Sequence, residues 1–136
     1  MEHQTRVHAW PSQRAVFKTY PEAVGRARDI ARTFLDNLTP AMDSQATDTV
    51  TLVVSELITN AVRHACSTSC SLHLRAGADV ITVEVADADP TPPQERNPDL
   101  AGGTGGFGWA MVRTLARATS VSRSIKGKTV RAELPR

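Results

Sequence analysis

Apolar positions along the chain change period several times, and each change marks a predicted element. Val16 and Phe17 sit in a short extended run from Arg14 to Tyr20, which reads as a strand. Pro21 then opens a stretch in which Val24, Ala27, Arg28, Ala31, Phe34, Leu35 and Leu38 recur at helical spacing until Thr39-Pro40. Proline suits a first helical position, because the N–H it lacks would have been unpaired there. The longest periodic signal runs from about Ser44 to His64, with Val50, Val54, Leu57, Ala61 and Ala65 on one face. It predicts a second amphipathic helix.

Alternation of period two takes over at Ser71 to Ala76 and again at Val80 to Ala86, separated by Gly77-Ala78-Asp79. This predicts a β-hairpin. From Ala88 to Gly106 the chain carries four prolines, four glycines and no period, the mark of a long functional loop or lid. Helical spacing returns at Phe107 to Ala118 through Trp109, Val112, Leu115 and Ala116, followed by two strands, Ser120 to Ile125 and Lys128 to Leu134, joined around Gly127. The order is strand, helix, helix, strand, strand, lid, helix, strand, strand. It predicts an α+β two-layer sandwich, a mostly antiparallel sheet covered on one face by helices. Residues 1–13 read as an N-terminal arm and 14–136 as a single domain with a lid at about 88–106.

Composition narrows the function classes. The chain has 136 residues, 40% hydrophobic and 22% charged, enough for one core without staples. Thirteen arginines and three lysines against 14 acidic residues leave a net charge of +2, scattered along the chain. Scatter disfavours a nucleic-acid stripe. Aromatic residues make up 4%, which disfavours a base-stacking platform. No apolar run reaches the roughly 20 residues of a membrane span. Two cysteines, Cys66 and Cys70, and no signal-peptide pattern predict a soluble, cytoplasmic protein with free, buried thiols.

Three features gather the candidate chemistry: Glu56 and Asn60, Asp87, and the glycines Gly102, Gly103, Gly105, Gly106 and Gly108. Glu56 and Asn60 project from one side of the second helix with His64 a further turn along. Such a pair suits either a solvated helix edge or hard-cation binding, since magnesium favours oxygen ligands. Asp87 ends an apolar strand, as a turn former or as an acceptor for an exocyclic amine, which would select adenine. The glycine cluster leads into a helix, where free N–H groups and the helix dipole favour phosphate. A glycine-rich loop without a ligand is the plainer alternative. Neither a Walker pattern nor protein-kinase signatures are present.

In this order the pieces resemble the Bergerat-fold (GHKL) ATPase superfamily, in particular its small bacterial branch of anti-sigma-factor serine kinases. LVVSELITNAVRHA, residues 52 to 65, resembles the family's N box. The resemblance makes Glu56 the catalytic carboxylate, Asn60 the magnesium-binding side chain, and His64 a position commonly histidine in this branch. VEVADADP resembles the G1 box, with Asp87 as the reader of the adenine amino group. GGTGGFGWAMVRTLA resembles the G2 box, assigning Gly103, Gly105, Gly106 and Gly108 to the nucleotide. GKTVRAELP resembles the closing strand pair, with Thr129 near adenine. Two positions depart from the pattern: Asp89 stands where G1 expects glycine, and Phe107 where G2 expects a small or basic residue. The resemblance implies ATP and Mg2+ as cofactors, a sigma factor as partner, a STAS-type anti-sigma-factor antagonist as phosphorylation substrate, and a homodimer. Two further functions are open, a binding-only regulator and a detached histidine-kinase catalytic domain.

Overall fold

A computed structural model describes residues 10–63, 68–90, 93 and 108–136. The elements are β1 (Ser12–Lys18), α1 (Glu22–Asp36), α2 (Ser44–Arg63), β2 (Ser69–Ala76), β3 (Val80–Asp87), α3 (Gly108–Leu115), β4 (Ala118–Ser124) and β5 (Gly127–Pro135). The strands form one antiparallel sheet in the order β1-β2-β3-β5-β4. The predicted α+β sandwich is the fold observed. Boundaries moved by one to three residues: β1 starts at Ser12 and not Arg14, β4 at Ala118 and not Ser120.

Alternation in the strands decides which face is covered. Leu72 and Leu74 of β2, Ile81, Val83 and Val85 of β3, and Val130, Ala132 and Leu134 of β5 are buried and join the α1 and α2 side chains in one core. Each fully buried Val, Leu or Ile contributes about 1.5–3 kcal/mol relative to exposure. α2 contributes Val50, Val53, Val54, Leu57, Ile58 and Ala61 to it, and α1 contributes Ala23, Ala27, Ala31, Phe34 and Leu35. Arg28, expected on the apolar stripe of α1, is exposed, and Ala23 completes the stripe instead. Val16 points to the opposite face of β1 and is 73% exposed.

Local sequence explains the joints. Asp43 precedes α2, and its Oδ1 accepts from the Ala46 N–H at 2.7 Å, satisfying a donor of the first turn that has no partner within the helix. The β4–β5 turn ends at Gly127, whose φ of 141° is a conformation open to glycine. A Cβ there would also run into the Asp87 carbonyl oxygen and the Ala88 Cα. Gly127 therefore lets the start of β5 close against the end of β3.

Candidate functional site

α2 packs on β3 and on α3, which brings the second helix, the end of the hairpin and the start of the third helix to one side of the sheet. Glu56 and Asn60 lie one turn apart on α2, both half-buried. Burial pushes the Glu56 carboxyl above the ordinary glutamate range, with the nearby Arg63 guanidinium opposing the shift. A raised pKa makes the ionised carboxylate a stronger proton acceptor. Gly108, the first residue of α3, sits directly against it: a Cβ added at Gly108 would lie 2.5 Å from Glu56 Oε1. A side chain at Gly108, the last glycine of the motif, would therefore have to displace the Glu56 carboxylate. Gly103, Gly105, Gly106 and His64, and the lid apart from residues 88–90 and 93, lie outside the described residues.

Asp87 ends β3 on the helix-covered side, continuing the alternation of Ile81, Val83 and Val85. It is paired in register with Lys128 of β5. The Lys128 ammonium donates to both Asp87 oxygens, at 3.0 and 3.1 Å, and to the Asp89 carbonyl at 3.0 Å. The side chains are 5% exposed for Lys128 and 3% for Asp87. The Asp89 N–H adds a hydrogen bond of 2.8 Å to Asp87 Oδ1. Asp89, the departure from the glycine of the G1 pattern, is buried and supplies its main chain to this cluster. Cys70, the register neighbour of Asp87 on β2, is a buried free thiol whose pKa is pushed up to about 11, first by burial and then by the Asp87 charge. It is held protonated and unreactive.

Thr129 is not brought to this side. It pairs with Ala86, so strand alternation turns it away from Asp87, and Lys128 takes the helix-side position beside the aspartate. Motif matching missed Lys128, yet its signal was in the sequence: Lys128, Val130, Ala132 and Leu134 share the period of the buried positions of β5. Among the described residues no cluster of three or more His, Cys, Asp or Glu could hold a metal ion, and no helix is long and apolar enough to cross a membrane.

The profile of the histidine kinase-like ATPase domain family matches residues 17–134, nearly the whole chain. The chain belongs to that family. Two solved structures share its fold. One contains the RsbU and RsbW domains of Rv1364c from Mycobacterium tuberculosis, with a TM-score of 0.67 at 19% identity, covering 93% of this chain and 33% of that one. The other is the histidine kinase domain of the blue-light activated histidine kinase from Erythrobacter litoralis, with a TM-score of 0.53 at 22% identity, covering 84% of this chain and 59% of that one. This histidine kinase-like ATPase domain therefore spans about a third and three-fifths of the length of the two structures it resembles. No curated protein matches it in sequence.

Proposed function

We propose that this domain binds ATP with Mg2+ on the helix-covered side of the sheet and acts as an anti-sigma factor and protein serine kinase, holding a sigma factor and phosphorylating its antagonist. The observation that carries the reading is the contact of Glu56 with Gly108, which joins a carboxylate of raised pKa to the first residue of the helix after the glycine motif. The residues fit the nucleotide in kind. Free N–H groups at the start of α3 favour phosphate oxygens. The Asn60 amide is an oxygen ligand for magnesium, an ion that keeps most of its waters and takes few protein ligands. ATP supplies the phosphoryl group that is transferred. Glu56 accepts the proton of the serine hydroxyl, and Asn60, one turn along the same helix, orients the phosphate end of the site. Positioning and charge stabilisation are the protein's main contributions to such a transfer.

An RsbW domain among the structural neighbours and the N-box resemblance support the regulatory assignment, with the protein working in the cytoplasm as a homodimer. Glu56→Ala tests it: phosphoryl transfer to the antagonist should fall by about a hundredfold or more while Mg-ATP titration shows binding retained. Undiminished transfer by that variant would remove Glu56 as the base. A second reading, a regulator that binds partners without transferring phosphate, is favoured by one observation, the engagement of Asp87 by Lys128. Robust transfer by the wild-type protein excludes it.

A further inference from the structure

A carboxylate recognises an exocyclic amine by accepting its N–H groups. In this protein the Asp87 carboxylate already accepts N–H groups from a primary ammonium. Lys128 Nζ has three protons and, among the described residues, three acceptors within reach: Asp87 Oδ1 at 3.0 Å, Asp87 Oδ2 at 3.1 Å and the Asp89 carbonyl at 3.0 Å. The Asp89 N–H occupies Oδ1 a second time at 2.8 Å. Both side chains are almost wholly covered, at 5% and 3% exposure. A base amine reaching Asp87 therefore meets a neutralised carboxylate with three of its roughly four acceptor sites already engaged.

We propose that Lys128 is an internal competitor for the amino group of adenine, so that the site takes purine nucleoside triphosphates with little regard for a six-amino group. The inference rests on the nucleotide reading of the site given above and names the residue that sets its base selectivity. Three features support it together. Lys128 stands on the helix side of β5 directly opposite Asp87 in the β3–β5 register. Gly127, where a Cβ would run into the Asp87 carbonyl oxygen, holds the two strand ends close. Asp89 clasps the pair from both sides with its own N–H and C=O. An ammonium held by three acceptors is displaced less readily than the water that would otherwise hydrate a lone aspartate.

Purine riboside triphosphate, which is ATP without the six-amino group, isolates the effect. The wild-type protein, titrated calorimetrically with the magnesium salts of both nucleotides, should bind them with dissociation constants within about threefold of each other. Lys128→Thr frees the carboxylate, so ATP should then bind about tenfold or more tighter than the analogue, the value of one charged hydrogen bond. Lys128→Met, which fills the same space without a donor, should show the same new preference. Circular dichroism establishes that each variant is folded. A wild-type preference for ATP of about tenfold or more overturns the inference without any variant, as does an unchanged ratio in folded Lys128→Thr. Failure of both nucleotides to bind wild type and both variants overturns the nucleotide reading itself, and the inference with it.

Discussion

The two faces of the sheet carry the same chemistry under opposite conditions. On the helix-covered face Asp87 and Lys128 form a carboxylate–cation pair at 3% and 5% exposure. On the open face Glu84 meets Arg75 at 3.1 Å, Arg131 at 3.8 Å and His73 at 3.4 Å, with the glutamate 22% and the arginines 40% exposed. Water screens the second cluster and not the first. An exposed pair contributes about 0–1 kcal/mol, whereas removing one partner of a buried pair costs about 3–5 kcal/mol because the other charge is left without compensation. The two clusters separate charge that the helices cover from charge that water reaches.

The largest expected contrast is catalytic. Glu56→Ala should lower phosphoryl transfer by about a hundredfold or more, the contribution of a positioned base, while Glu84→Ala on the open face should leave the rate within about twofold; a radiolabel transfer assay reads both. Next comes stability. Lys128→Met should cost about 3 kcal/mol in urea unfolding, and Arg131→Met less than about 1 kcal/mol. Equal losses would mean that burial does not separate the two pairs.

A smaller effect follows from the raised pKa of Glu56. The folded protein favours its neutral form, so its contribution to stability is present below the unfolded pKa and lost as pH rises through the folded one. Glu56→Gln should therefore raise the melting temperature at pH 7 by about 1–3 °C, and the gain should shrink toward about pH 4, where the wild-type carboxyl is itself protonated. The smallest effect lies on the open face. Burial, Arg14 and Arg75 hold the His73 pKa below its ordinary value against the pull of Glu84. Arg75→Gln should move its NMR titration upward.

The same contrast explains what the sequence made legible. Period and turn chemistry placed every element, because Val50, Val54 and Leu57 on α2 and the alternating Val83 and Val85 on β3 answer to one core. Glu56 and Asn60 were legible because a helix of fixed geometry sets them one turn apart. The Asp87–Lys128 pair was not, since it joins positions 41 residues apart and depends on which face β5 turns inward. Reading the alternation of β5 back from Leu134 places Lys128 inside and Thr129 outside; matching a threonine to a motif reversed them. Asp89 stands where the motif expects glycine, and its main-chain N–H and C=O both join the Asp87–Lys128 pair.

The most direct test of the central claim is the set of backbone amide shifts perturbed when Mg-ATP is added to the 15N-labelled protein. A nucleotide site on the helix-covered face predicts perturbations at Glu56, Asn60, Asp87 and Gly108, with His73, Glu84 and Arg131 unmoved. No perturbation at saturating Mg-ATP, or perturbations confined to the open face, would contradict it.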